Sequence, residues 1–171
     1  QPLHDTGELY GFGLDITALT EAQQRFRSAF EHAAVGMSLV GLDGRFVEPN
    51  PALCRLLGYS REELVAKTYQ DITYPPDLQA DEALAAELAE GRRESYTIDK
   101  RYITKSGARV WIQLTGSRVL DADGRLLYFI AQVQDINERK QAEERLTVAN
   151  AGLSAALAEL KVYETQMRRI H

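Results

Sequence analysis

Hydrophobic and polar positions change their period along the chain. Residues 9–16 alternate, with Tyr10, Phe12, Leu14 and Ile16 on one side and Gly11, Gly13 and Asp15 on the other, which predicts a strand. From Thr17 the apolar residues Leu19, Ala22, Phe26, Ala29, Phe30 and Ala33 recur at three- and four-residue steps, which predicts an amphipathic linker helix over 17–34. Asp15 or Thr17 is placed to cap it. Residues 35–136 have mixed punctuation. A strand at 35–40, a turn at Asp43-Gly44 and a strand at 45–48 read as a hairpin. Short helices follow at 51–57 and 61–66, and then the break Tyr74-Pro75-Pro76-Asp77. Leu78, Leu84, Ala85 and Leu88 mark a helix stopped by Gly91. Three strands at 95–104, 110–119 and 125–134 are joined by turns at Ser106-Gly107 and Asp123-Gly124. Two strands, helices, then a meander is an α+β pattern.

Residues 137–171 carry a heptad repeat. Leu146, Leu153, Leu160 and Met167 are spaced by seven, and Ala142, Ala149, Ala156, Tyr163 and Ile170 fill the second seam. A dimeric coiled coil is the reading, with a single solvated helix as its alternative. At ~1.5 Å per residue it would reach on the order of 50 Å. A weak internal repeat links the two ends of the chain. Asp5-Thr6-Gly7 leads to Asp15-Ile16-Thr17 much as Asp123-Gly124-Arg125 leads to Asp135-Ile136-Asn137. Residues 1–16 are therefore expected to be the terminal strand of a preceding domain of the same type. The absence of an initiator Met and an end inside a helical pattern point to a fragment of a longer chain.

Composition narrows the function. A 171-residue chain with net charge −5 fits one domain with attached helices and argues against general nucleic-acid binding. Cys54 is the only cysteine, and His4, His32 and His171 show no ligand spacing, so no metal site is expected. No apolar run reaches membrane-spanning length and no secretory leader is visible, from which a cytoplasmic setting is expected. Glu62-Glu63, Asp77 with Asp81, and Asp121 with Asp123 read as helix-start, solvated or turn positions, not as catalytic pairs. Gly11-Phe12-Gly13 lacks the third glycine of a dinucleotide loop, and the residues around His171 do not form a phosphoacceptor box.

Over residues 24–138 the chain resembles the PAS (Per-Arnt-Sim) sensor family. The resemblance rests on FEHAAVGM at 30–37, NPALCRLLGYSREE at 50–63, DITYPPD at 71–77, KSGARVW at 105–111, Asp123-Gly124, and Asp135-Ile136-Asn137. It implies a five-stranded antiparallel sheet curved around short helices, a small internal pocket, and dimers whose flanking helices drive an output domain. Bacterial histidine kinases and diguanylate cyclases are the usual parents. Flavin-binding members carry a reactive cysteine after the stretch that is Gly58–Glu63 here, where this chain reads Lys67-Thr68-Tyr69-Gln70. They also carry amide side chains at the positions of Tyr102, Ile112 and Val133. Haem-binding members place a histidine on the helix before the meander, and none stands between Asp77 and Gly91. Neither flavin nor His-ligated haem is expected, and Cys54 reads as a small buried hydrophobe.

The same alignment turns Tyr102, Ile112, Leu114, Phe129, Ala131 and Val133 inward, with Met37, Leu39, Tyr69 and Tyr74 completing a pocket. These ten residues are read either as ligand-pocket walls or as ordinary core. Trp111, Gln113, Thr115, Tyr128 and Ile130 fall on the opposite face, with Trp111 as the anchor for a flanking helix or partner. Asp135, Ile136 and Asn137 are read as the signal-transfer step, or as plain helix capping. The expected function is a sensory or relay module of a kinase- or cyclase-type receptor, itself without catalysis, that acts as a homodimer on a possible small-molecule cue. A ligand-less dimerisation scaffold and a protein-docking regulator are the alternatives.

Overall fold

From Gly7 to His32 the chain is one helix, α1. The computed structural model describes residues 7–170, with side-chain surroundings from residue 17 onward. Residues 9–16, expected as a strand, are therefore helical. Their alternation also satisfies a helix, because Leu9, Phe12, Ile16 and Leu19 lie three, four and three residues apart. A strand needs a neighbour for its backbone amides, whereas a helix satisfies its own. The remainder of the preceding-domain reading, residues 1–6, lies outside the described residues.

Five strands follow: β1 (Gly36–Val40), β2 (Phe46–Pro49), β3 (Ser95–Ile103), β4 (Arg109–Leu120) and β5 (Leu126–Asp135). They form one antiparallel sheet in the order β2-β1-β5-β4-β3. Between β2 and β3 run α2 (Pro51–Leu57), α3 (Arg61–Val65), α4 (Tyr69–Ile72) and α5 (Pro75–Ala89). The chain is thus the expected α+β fold, with α4 an additional turn of helix. Thr68 and Asp71 hold that turn by a reciprocal capping box, which four residues need because they make few internal bonds. The core lies between these helices and one face of the sheet. Leu53, Leu57, Leu64, Ile72 and Leu88 meet Val40, Phe46, Val110, Ile112, Leu114, Ala131 and Val133 there.

Both sheet edges are covered, which keeps their free amides from pairing with another chain. At the β2 edge, Phe46 N–H donates to Lys67 C=O and Arg45 bridges Thr68. At the β3 edge, Thr73 bridges Tyr102, and Tyr74 N–H donates to Arg101 C=O at 2.9 Å. That second stitch fixes where α5 begins.

Asn50 is the joint between α1, α2 and β1. Its carbonyl oxygen accepts from Met37 N–H at 2.8 Å and Leu53 N–H at 3.0 Å, so it caps α2. Its amide donates to Phe30 C=O and Val35 C=O, both at 3.0 Å. One buried side chain therefore satisfies four backbone groups, in α1, the α1–β1 connection, β1 and α2.

The chain divides into two compact units, Gln1–Asp135 and Ile136–His171. The second is the helix α6 (Asn137–Ile170), within which no residue is buried. Leu146, Leu153, Leu160, Tyr163, Met167 and Ile170 are all exposed along it, as are Ala149 and Ala156. Substituting Asn50→Ala should lower stability by ~3 kcal/mol, combining the lost cap with stranded carbonyls, as read from the urea denaturation midpoint.

Candidate functional site

A cavity of about 260 Å³ opens between α4, α5 and the inner face of the sheet. Tyr69, Tyr102, Leu114, Phe129 and Ala131, all expected in a pocket, line it together with Phe46, Gln70, Leu88 and Tyr96. Ile112 and Val133 share that face but are packed in the core beside it. Met37 and Leu39 are not wall residues. On β1 the buried positions are Gly36, Ser38 and Val40, so period two turns Met37 and Leu39 to the other face, opposite Gln132 and Ile130 of β5. Tyr74 is also elsewhere, stacked against the guanidinium groups of Arg101 and Arg109 at 4.4 and 4.2 Å.

Two glycines shape the space. Gly116 lies beside Tyr96 so closely that an added Cβ would stand 2.9 Å from the ring. Gly44 has φ +89°, and a Cβ there would collide with the Gln70 side-chain amide. The Gln70 carbonyl oxygen is buried on the cavity wall without a hydrogen-bond partner, a condition that costs about 1–3 kcal/mol.

Beside the cavity sits an ion pair sealed from solvent. Lys100 and Asp81 are each 0% exposed and in direct contact. Lys100 Nζ also donates to Thr73 Oγ1 at 3.2 Å, and Tyr96 OH donates to the other Asp81 oxygen at 3.0 Å. The rings of Tyr69 and Tyr102 flank the ammonium with centroids at 5.1 and 4.5 Å, a cation–π arrangement. Burial pulls the Lys100 pKa below its ordinary value, and the Asp81 charge opposes that pull. Desolvation, reinforced by Asp81, pushes the Tyr69 phenol up to about 12 and also raises Tyr96 and Tyr102. All three tyrosines thus keep their protons, and Tyr96 remains a donor.

Asp81 was expected to be solvated and is the opposite. The signal was present in the spacing. Asp81, Leu84, Ala85 and Leu88 form one helical face, and Tyr96, Ile98, Lys100 and Tyr102 form one strand face. A carboxylate and an ammonium at apolar positions of two elements are matched by charge.

Asp77, one turn earlier on α5, is not free carboxylate either. Its oxygens accept from Arg101 Nε at 2.9 Å, Arg101 Nη2 at 2.8 Å and Arg101 N–H at 2.8 Å. That bidentate hydrogen bonding holds the Asp77 carboxyl below its ordinary pKa. The same guanidinium lies over the Trp111 ring at 4.6 Å, so Trp111 is half-buried beneath Arg101 on the outer face. Glu63 pairs with Lys105, and Asp121 accepts from the amides of its own turn. Cys54 is half-buried, and burial raises its thiol pKa, which makes it a poor nucleophile. Asp135 is the last residue of β5, in register with Ile112, and Asn137 is the first of α6, with buried Ile136 between them.

Removing one member of the buried pair, by Lys100→Met or Asp81→Leu, should cost about 3–5 kcal/mol because the other charge is stranded. The double substitution should recover at least half of that loss, a coupling measurable by urea denaturation of all four proteins. Asp77 gives a pH signature. Its folded pKa is depressed, so its contribution is present above the unfolded value near 3.8 and is lost as pH falls through the folded one. Asp77→Asn should be less stable than wild type at neutral pH, and the difference should close below pH 3.8 in an acid titration followed by circular dichroism.

Comparison with known proteins agrees with this architecture. Residues 24–136 match the PAS fold family. The chain is 42% identical over 149 residues to the probable diguanylate cyclase DgcE of Escherichia coli, covering 83% of this chain and 14% of that protein. It is 28% identical over 152 residues to the sensor histidine kinase TmoS of Ectopseudomonas mendocina, covering 85% of this chain and 16% of that one. It thus spans less than a fifth of the length of either curated relative. The crystal structure of a PAS domain from Colwellia psychrerythraea superposes with a TM-score of 0.64 at 18% identity, covering 68% of this chain and 98% of that one. With the five-stranded sheet, the helices packed on one face and this match together, the chain belongs to the PAS family and is a signalling sensor domain similar to those of diguanylate cyclases and histidine kinases.

Proposed function

We propose that this domain converts occupancy of its cavity, or a displacement delivered through α1, into a rearrangement of paired α6 helices that governs an output domain elsewhere in the parent protein. The continuity of β5 with α6 carries this reading. Phe129 and Ala131 of β5 line the cavity, and the strand ends at Asp135, two residues before α6 begins. A ligand that moves the wall therefore moves the strand that leads into the helix. Only a few kcal/mol of differential affinity between two packings is needed to shift such an equilibrium.

The partner in this reading is a second copy of the chain. The exposed seam of Leu146, Leu153, Leu160 and Met167, with Ala149, Ala156, Tyr163 and Ile170 beside it, is supporting evidence, because an apolar stripe of this length favours burial over hydration. Small alanines in the second seam allow close approach and more than one packing. The domain itself performs no reaction, and catalysis belongs to a cyclase or kinase output. The cue is a small molecule, and neither flavin nor His-ligated haem is proposed. The cavity wall holds no histidine among the described residues, and about 260 Å³ is below the ~300–1,000 Å³ typical of larger ligands.

Analytical ultracentrifugation tests the assembly. The wild-type chain should sediment as a dimer at micromolar concentration, and Leu153→Asp with Leu160→Asp should sediment as a folded monomer. A wild-type monomer at high micromolar concentration would falsify the relay.

A further inference from the structure

The chemistry of the cavity wall narrows the cue, an inference that rests on the sensory reading above. The charged residues on the wall are acids, Asp43 and Glu82, and among the described residues no Lys, Arg or His lines it. The nearest buried cation is already engaged. Lys100 Nζ donates to Asp81 and Thr73, and the rings of Tyr69 and Tyr102 cover it. Asp81 is engaged as well, by Lys100 and Tyr96. A carboxylate entering this space would lose its hydration, pass two exposed acids at the rim, one of them paired with Arg45, and find no cation on the wall.

The wall also carries an acceptor that nothing in the domain uses. The Gln70 carbonyl oxygen is buried and unpartnered there. Its position is set by the capped turn of α4 and by Gly44, whose missing Cβ leaves room for the amide. Phe46, Tyr69, Tyr96, Tyr102 and Phe129 supply aromatic surface to the same cavity. Aromatic surface with an unpartnered acceptor suits a flat, uncharged molecule that carries a donor.

We propose that the cavity selects a small, uncharged, one- or two-ring molecule that donates an N–H or O–H to the Gln70 carbonyl oxygen, and that it rejects carboxylates of similar size. Indole and benzoate are the probes, titrated into the wild-type 171-residue chain by calorimetry and ligand-observed NMR. Indole should bind, and benzoate should bind at least about tenfold more weakly, the scale of one hydrogen bond. Gln70→Leu should weaken indole by about tenfold, and Ala85→Trp, which fills the cavity, should abolish binding. The comparison of the two probes on wild type needs no variant to fold. Equal or tighter binding of benzoate, no binding of indole, or indole binding unchanged by Gln70→Leu or by Ala85→Trp overturns the ligand class. Failure of the sensory reading looks different: indole binds as described, yet the amide signals of β5 do not move.

Discussion

Taking an ammonium and a carboxylate out of water costs several kcal/mol per ion, and Lys100 and Asp81 are both without solvent contact. Such a pair persists only where its remaining hydrogen-bonding capacity is met. Here Thr73 and Tyr96 meet it, and two tyrosine rings lie against the ammonium. The pair ties the middle of α5 to the edge strand β3, and the Asp77–Arg101 fork ties the start of the same helix to the next residue of that strand. With α5 anchored one turn apart at two points, the space between helix and sheet is held open at a defined width. A helix secured only by apolar side chains would be free to settle into that space, since interiors tend to close-pack.

The cavity is a by-product of this anchoring. Its aromatic wall comes from the residues that shield the ion pair: Tyr69, Tyr96 and Tyr102 each touch the charged network and each line the cavity. The side chains that complete the buried network are thus the ones that form the cavity wall. The charges lie behind the tyrosines, so the cavity is acid-rimmed although a lysine is buried alongside.

The outer face of the sheet follows a different logic. Trp111, Arg101, Tyr74 and Arg109 form a stack of alternating rings and guanidinium groups, held by Asp77. Trp111 was expected as an anchor for a flanking helix or a partner. Arg101 covers part of it from within the same domain, while Leu127 and Tyr128 of β5 are exposed.

The chain order of helices and strands was legible in the sequence because each element has its own period and its own stops. Asp43-Gly44, Ser106-Gly107 and Asp123-Gly124 mark turns in which each glycine takes the left-handed conformation. The inward face of β4 and β5 came from the family resemblance, and Ile112, Leu114, Ala131 and Val133 do lie on it together. Other features were not legible. Residues 9–16 fit both periods, and only a paired neighbour would have made them a strand. Met37 and Leu39 depend on which of two alternating sets on β1 faces inward, and no local property of GMSLV distinguishes them. Asp81 reads in isolation as a helix-start or solvated carboxylate, because a charge is buried only when its partner arrives from another element. Local periodicity thus determined the elements and their order, while tertiary structure decided which face is inside, where the charges pair and what the cavity can hold, because those outcomes depend on contacts between residues distant in the chain.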